Sequence, residues 1–126
     1  MKSKFRYTGI RVKDLDASVT FYTSVLGMKV RERNTIDEAK GVVVDLVSED
    51  GGHPLELNYY EKGSPFDAPY EVGEGLDHLA FRVEDLDKAI AEAKKAGHPV
   101  VQEVKTATSR WVYIQDPNGI WIELFV

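Results

Sequence analysis

An internal repeat constrains the fold of this chain more than any other feature of its 126 residues. The segment Arg11–Asp16 (RVKDLD) recurs as RVEDLD at Arg82–Asp87, identical in five of six positions at an offset of 71. The apolar spacing that follows each copy is also shared. Such a repeat is typical of a fold built from copies of one structural unit. The chain is therefore predicted to fold as two related modules.

Each copy of the repeat is followed by the pattern of an amphipathic helix. In the first copy, Leu15, Val19 and Tyr22 recur at i, i+4 and i+7, the spacing of one helical face. The pattern predicts helices over residues 16–26 and 87–96. Each helix is expected to have an aspartate N-cap and a glycine in the left-handed conformation after its last turn: Asp16 with Gly27, and Asp87 with Gly97.

Strand patterns surround both predicted helices. One alternating segment precedes each helix and three follow it, and the last two segments of the second half are joined by the turn sequence at Asp116–Gly119 (DPNG). Each half is thus βαβββ, which predicts an α+β fold. The expected module boundaries are about 4–60 and 76–126 within a single domain of residues 1–126. Residues 61–75, rich in Gly, Pro and acidic residues, are expected to be a linker or a mobile flap.

The repeat places four polar residues at related positions. Tyr7 and His78 are separated by the same offset of 71 and should occupy equivalent points on the first strand of each module. Glu56 and Glu123 each lie between two apolar residues of the last strand, so each carboxylate points away from the core. A pseudo-twofold arrangement of the modules would bring the four side chains toward a common space.

A glutamate in an alternating strand usually faces solvent, and a single strand histidine is as often a core residue as a ligand. Glu123 fits the solvent interpretation poorly because Trp121 and Phe125 share its face, and a carboxylate among aromatic rings needs a partner. His78, Glu56 and Glu123 together form a nitrogen and oxygen donor set suited to Ni, Zn, Co, Mn or Fe. The residues alone leave metal binding and a purely structural role open.

Composition excludes several classes of protein. The chain contains no cysteine, so disulfides, thiolate metal sites and cysteine nucleophiles are ruled out. The net charge of −5, with acidic and basic residues interspersed, argues against nucleic-acid binding. No apolar run approaches the length of a membrane span, and the first residues do not resemble a signal peptide. The expected location is the cytoplasm.

Four segments together resemble the glyoxalase I branch of the vicinal oxygen chelate superfamily: YTGIRVKDLDASVTFYTSVLGMKV, LELNYYEKG, LDHLAFRVEDLD and DPNGIWIELF. The resemblance extends through nearly the whole chain in the order of the family. It implies two βαβββ modules that form incomplete barrels around a central cleft. The superfamily includes glyoxalase I (lactoylglutathione lyase), extradiol dioxygenases, an epimerase of coenzyme A thioesters, and metal-free bleomycin-binding proteins.

The resemblance also implies a metal site. In glyoxalase I-like proteins, the ligands are a histidine, a glutamate, a second histidine and a second glutamate on successive strands. Glu56, His78 and Glu123 match three of these positions, and Tyr7 stands where the family has its first histidine. A phenol loses its proton only well above neutral pH, so Tyr7 is a weaker ligand than histidine. A divalent metal is expected, with reduced affinity and with Tyr7 as an optional fourth ligand.

The same resemblance implies roles for the residues around the metal. Glu123, in an apolar wall, is expected to be the general base, and Glu56 could share that task. Arg11 matches an arginine that binds a carboxylate of the thiol cofactor, and a surface salt bridge is the alternative for this residue. The remaining expected substrate contacts are aromatic: Tyr60, Trp121 and Phe125 on strands, with Phe66 and Tyr70 in the connecting segment.

The leading interpretation is a metal-dependent glyoxalase I-like lyase that transfers a proton on a chelated α-hydroxycarbonyl or hemithioacetal substrate. A metal-free small-molecule binding protein is the alternative from another class, favoured by the loss of the first histidine. An epimerase or a dioxygenase is the alternative within the superfamily, although dioxygenases need two histidines. Relatives are commonly homodimers, and the long connection would let the two modules separate, so a homodimer is expected.

Overall fold

The structure, a computed structural model, describes residues 2, 6–71, 73, 76 and 78–126. The chain divides into two compact units, Met1–Pro69 and Tyr70–Val126, and each unit holds one four-stranded sheet. The boundary falls inside the segment 61–75 that the sequence marks as a connection. The predicted limits at residues 4 and 75 lie outside the described residues.

The first module consists of four strands and one helix, which continues into a π-helical turn. The strand order in its sheet is β1-β4-β3-β2, with β1 parallel to β4 and the other pairs antiparallel. The elements in chain order are β1 (Thr8–Arg11), α1 (Leu15–Thr20), the π-helical turn (Phe21–Val25), β2 (Lys29–Ile36), a 3-10 turn (Asp37–Ala39), β3 (Gly41–Val47) and β4 (Leu55–Tyr60).

The second module repeats this topology. Its strand order is β5-β8-β7-β6, again with one parallel pair, between β5 and β8. The elements are β5 (His78–Arg82), α2 (Leu86–Lys95), β6 (Gln102–Lys105), β7 (Arg110–Gln115) and β8 (Trp121–Phe125). The predicted α+β class and the two βαβββ modules are therefore confirmed.

In both modules the core lies on the side of the sheet away from the polar residues. The core side chains of the first module include Ile10, Leu57 and Val44, each 4% exposed or less, and its helical segment buries Phe21 and Tyr22. The last strand of the second module buries Ile122 and Leu124 in the same alternating way. Because strand side chains alternate, the residues between these core positions face the opposite side of each sheet.

The helices begin one residue earlier than predicted, at Leu15 and Leu86, and their N-caps lie two residues earlier. The N-caps are Asp14 and Asp85, not Asp16 and Asp87: the Asp14 side chain accepts from the backbone N–H of Ala17 at 3.0 Å. Asp85 accepts from Lys88 in the same way at 2.9 Å. Both aspartates of each DLD sequence suit a helix start, because acidic residues also stabilise the first turn.

The helix ends agree better with the sequence. Gly27 and Gly97 adopt left-handed φ angles of 74° and 90°, as the C-terminal pattern predicts. The predicted first helix is α-helical only to Thr20 and then π-helical to Val25. Within the described residues, neither helix is long and apolar enough to cross a membrane.

Candidate functional site

The parallel strand pairs place the two predicted glutamates at equivalent positions. Gly9 of β1 lies beside Glu56 of β4, and Ala80 of β5 lies beside Glu123 of β8. Gly9 and Ala80 are related by the repeat offset of 71. The equivalence predicted from the sequence is therefore present in the strand register of both sheets.

In the second module, the predicted histidine and glutamate are in direct contact. His78 Nε2 lies 3.1 Å from Glu123 Oε2, and the two side chains are 32% and 20% exposed. Both residues lie on the face of the sheet opposite the core, on the neighbouring strands β5 and β8. A half-buried imidazole and carboxylate in contact can share a proton or together bind a cation.

A third side chain, missed by the sequence analysis, completes this cluster. Tyr113 of β7 lies opposite Glu123 and donates its hydroxyl proton to Glu123 Oε2 at 3.1 Å. Trp111 Nε1 in turn donates to the Tyr113 hydroxyl at 3.2 Å. The Tyr113 ring also contacts His78, with centroids 5.5 Å apart, and Trp121, with centroids 5.3 Å apart.

The turn between β7 and β8 fixes the register of these contacts. The buried Asp116 accepts from the backbone N–H groups of Asn118 and Ile120, both at 2.8 Å. The Asn118 side chain donates to the other oxygen of Asp116 at 2.8 Å. The resulting hairpin places Tyr113 opposite Glu123. The alternation of RWVYIQ and the DPNG turn are the sequence signals that could have identified Tyr113.

In the first module, Tyr7 and Glu56 lie on either side of Gly9. A Cβ atom built on Gly9 would lie 3.8 Å from Glu56 Oε1 and 3.9 Å from Tyr7 Cε2. Tyr7 directly precedes β1 and is 50% exposed, so it lies just outside the strand predicted to contain it. Tyr7 and Glu56 thus share one surface of the first sheet.

The neighbour of Glu56 on β3 differs in chemistry from that of Glu123. Asp45 lies directly opposite Glu56, so two carboxylates face each other across the strand pair. Arg31 balances this repulsion by binding Asp45 Oδ2 at 3.1 Å. The first module therefore places a carboxylate opposite its glutamate, whereas the second places a phenol there.

A covering segment, residues 63–68, lies over the same face of the first sheet. Arg11 binds Asp67 at 3.1 Å and also donates to the backbone carbonyl of Ala68. Phe66 stacks on Tyr60, with ring centroids 5.3 Å apart. Two of the predicted substrate contacts, Arg11 and Tyr60, are thus occupied by residues of their own module.

The second sheet borders a cavity of about 520 Å³ on its polar face. Glu123 and Phe125, both predicted from the sequence, line this cavity. Its lining also includes Leu86, Arg110 and Trp111. Trp121, also predicted, lies on the same face and is 38% exposed. The cavity volume is within the range of small-molecule sites.

Arg110, in the cavity wall, is already paired. Its Nε and Nη1 atoms bind Glu103 and Asp87, both at 2.6 Å. These contacts raise the pKa of the guanidinium, with the Asp87 hydrogen bond as the largest cause. One arginine with two carboxylates carries a net negative charge. This wall of the cavity therefore does not attract anions strongly.

Each module supplies two of the predicted metal ligands. Among the residues that the structure describes, no three His, Asp or Glu side chains come close enough to hold a metal ion. The second module offers an imidazole nitrogen next to a carboxylate oxygen, which fits a divalent transition metal. The first offers a carboxylate with an adjacent phenol.

Comparison with known proteins identifies the family. Residues 4–124 match the model of the glyoxalase/bleomycin resistance protein/dioxygenase superfamily. The chain belongs to this superfamily. The match includes both modules, in agreement with the predicted resemblance.

Several superfamily members are similar over most of their length. A probable lactoylglutathione lyase of Vibrio cholerae is 37% identical over 94% of this chain and 86% of the relative. The uncharacterized protein YwbC of Bacillus subtilis is 33% identical over 99% of this chain and 98% of the relative. These similarities support a glyoxalase-like function.

A solved structure agrees with this assignment. The trypanothione-dependent glyoxalase I of Leishmania major is 33% identical, with a TM-score of 0.80, over 98% of this chain and 86% of that protein. The glyoxalase fold is therefore the fold of this chain.

Proposed function

We propose that this superfamily member is a metal-dependent lyase of the glyoxalase I type. The observation that carries the proposal is the contact of His78 with Glu123 on an aromatic face beside an open cavity. The similarity to proteins named lactoylglutathione lyase supports the same reaction class. The substrate class would be hemithioacetals or other α-hydroxycarbonyl compounds with two adjacent oxygens.

The metal would be held by His78, Glu123 and Glu56, with Tyr7 or water in the remaining position. This set draws one pair of ligands from each module, from one chain or from two subunits of a homodimer. Its nitrogen and oxygen donors are compatible with Ni, Zn, Co, Mn or Fe. A divalent metal bound there would act as a Lewis acid on the substrate oxygens.

Glu123 would move the proton. Its carboxylate would remove the proton from the hemithioacetal carbon and return it to the neighbouring carbonyl carbon. The hydroxyl proton of the hemithioacetal would pass to the former carbonyl oxygen, so that the product is an α-hydroxy thioester. Glu123 is suited to this role because it is only 20% exposed and lines the cavity. A general base must lie within hydrogen-bond reach of the proton that it removes. Glu56 could share this task.

The cavity of the second module would hold the non-reacting part of the substrate. Trp111, Phe125 and Leu86 supply an apolar wall, and Trp121 lies on the same face. Because Arg110 is already paired with two carboxylates, an apolar or aromatic group fits this cavity better than an anionic one. In the first module, Arg11 and Tyr60 would contact the substrate after the covering segment moves away.

A metal-free binding protein is the second candidate. It is favoured by Tyr7, which replaces a better metal ligand, and by the cluster of aromatic rings that His78, Tyr113 and Trp121 form. Such a protein would bind a flat aromatic compound without converting it.

Calorimetric titration of the metal-free protein with Ni, Co and Zn tests the two candidates. We expect the wild-type protein to bind the metal. His78→Ala and Glu123→Gln should each lower metal affinity by more than the roughly 100-fold caused by removing a residue that hydrogen-bonds to a ligand. His53→Asn is the matched control. His53 is exposed, and its backbone is in the left-handed conformation, which asparagine tolerates.

The metal-loaded protein should then convert a hemithioacetal of methylglyoxal, rather than a catechol or a coenzyme A thioester. Absence of metal binding in the wild-type protein, together with absence of turnover, would refute the proposal. Solution mass at micromolar concentration tests the homodimer, and an active monomer would contradict it.

A further inference from the structure

We propose that Tyr113 is a positioning residue that fixes the Glu123 carboxylate for metal binding and proton transfer. The inference rests on the proposed function and adds a residue to it. Tyr113 lies directly opposite Glu123 in the β7–β8 pair and donates to Glu123 Oε2 at 3.1 Å. This contact joins adjacent strands of one sheet, so the backbone ladder fixes both ends of the hydrogen bond.

Trp111 determines the direction in which the Tyr113 hydroxyl donates. Its indole N–H can only donate, and it donates to the Tyr113 oxygen at 3.2 Å. A phenol has a single proton, so an oxygen that accepts from Trp111 keeps its O–H for Glu123. The three residues therefore form a directed chain of hydrogen bonds that ends on the carboxylate.

The Tyr113 contact can persist when the His78 contact cannot. His78 reaches Glu123 Oε2 through Nε2, and the same nitrogen is the atom available for metal binding. A metal on Nε2 would displace the proton from this atom and remove the hydrogen bond. Tyr113 uses a different donor. It would continue to hold the carboxylate in the loaded protein.

The first module lacks this device at the equivalent position. Asp45 lies opposite Glu56 as Tyr113 lies opposite Glu123. An ionised aspartate only accepts hydrogen bonds, so Asp45 cannot orient Glu56 by donation. The two modules have the same strand register but differ in the residue opposite the glutamate. Of the two described sheets, only that of the second module, with Tyr113 at this position, holds its glutamate through a donor on the neighbouring strand.

Packing keeps the Tyr113 ring in place independently of its hydroxyl. The ring contacts His78 edge-on and Trp121 at an angle of 47°. Tyr113→Phe should therefore remove the hydroxyl and leave the ring where it is. Tyr59→Phe is the matched control, because Tyr59 lies on β4, on the alternate face from Glu56.

The test combines calorimetric titration, kinetics and crystallography of the full chain. We expect Tyr113→Phe to weaken Ni or Zn binding by about 10- to 100-fold, the usual effect of losing a partner of a ligand. It should lower kcat with little change in KM. Because His78 still contacts Glu123 in the metal-free protein, the crystals compare His78→Ala with the His78→Ala/Tyr113→Phe double variant. Glu123 should keep its orientation in His78→Ala and should change it, or adopt several, in the double variant. Tyr59→Phe should match the wild type in all three measurements.

The outcomes separate this inference from the proposed function. If the wild-type protein binds metal and Tyr113→Phe binds it equally well, the positioning role is wrong and the proposed function stands. If the wild-type protein binds no metal, the proposed function fails, and the crystals decide the positioning role. A Glu123 conformer that is the same in the metal-free double variant as in His78→Ala would overturn it.

Discussion

The two modules have the same strand order and the same glutamate register, yet the glutamates have different surroundings. In the first module, Glu56 faces a carboxylate, and the covering segment occupies Arg11 and Tyr60. In the second, Glu123 is held by a phenol and an imidazole beside an open cavity. Duplication of a scaffold thus preserved backbone geometry while the side chains diverged.

The comparison indicates that the side chains on the polar face of each sheet can change with little effect on the fold. Core positions such as Leu57 and Ile122 are fully buried. Truncating either side chain would leave a cavity and lower the free energy of unfolding by several kcal/mol. Residues such as Asp45 and Tyr113 occupy equivalent register positions on the opposite face, where packing is less restrictive. Function can therefore be concentrated in one module.

Among the changes that compare the two modules, the largest effect is expected from making the first module more like the second. Tyr7→His would place an imidazole at the position equivalent to His78. A neutral imidazole binds Ni, Co or Zn without losing a proton near pH 7, so metal affinity should rise by about 10-fold. Calorimetric titration measures the change.

Tyr7→Phe is the control for this substitution, since it removes the phenol without adding a nitrogen. Its affinity should equal that of the wild-type protein or fall below it. If Tyr7→His binds the metal no more tightly than Tyr7→Phe, position 7 contributes no ligand. The difference between the modules would then involve more than this one residue.

A smaller effect tests the features that the modules share. Asp14→Ala and Asp85→Ala should each lower the free energy of unfolding by about 1 kcal/mol, because each removes the acceptor for a first-turn N–H. Urea denaturation at equilibrium gives both values. Similar losses would confirm that the two helix starts are equivalent.

Asp16→Ala is the control for the first helix. Asp16 is exposed and lies 3.9 Å from Arg33, so its removal should change the free energy of unfolding by only a few tenths of a kcal/mol. A loss in Asp16→Ala as large as that in Asp14→Ala would contradict the cap assignment.

The smallest effect concerns the covering segment. Asp67→Ala removes the partner of Arg11 and the acceptor for the backbone N–H of Gly63. The ion pair is partly exposed, so the cost in unfolding free energy should stay below about 1 kcal/mol. Hydrogen exchange should nevertheless speed up at the amides of residues 63–68.

Lys29, paired with Glu49 on the surface, provides the comparison for this variant. Lys29→Ala also breaks an exposed ion pair and should leave exchange in residues 63–68 unchanged. Equal exchange in both variants would show that Asp67 does not hold the segment over the first sheet.

Much of the fold follows from the sequence because local patterns and the repeat agree. Alternation identified the strands, and the offset of 71 correctly related Gly9 to Ala80 in the register. The N-caps were predicted two residues too late because both aspartates of a DLD sequence suit the start of a helix. Asp87 also has another role, since it binds Arg110.

The candidate site was predicted less completely. The repeat identified His78 and Glu123 as residues of the first and last strands of the second module. These strands are parallel neighbours in the sheet, so the two side chains lie close together. Tyr113 was missed because its placement depends on the hairpin register, which the side-chain contacts of Asp116 determine. The pairing of Arg11 with Asp67 was also missed, since segments without periodic patterns give no indication of where they pack.

The arrangement around Tyr113 has an optical consequence. The chain contains two tryptophans, Trp111 and Trp121, and both touch the same tyrosine on the site face of the second sheet. All indole fluorescence therefore originates beside Glu123, and none comes from the first module. Emission excited selectively at tryptophan would report events at one half of the molecule, without any attached label.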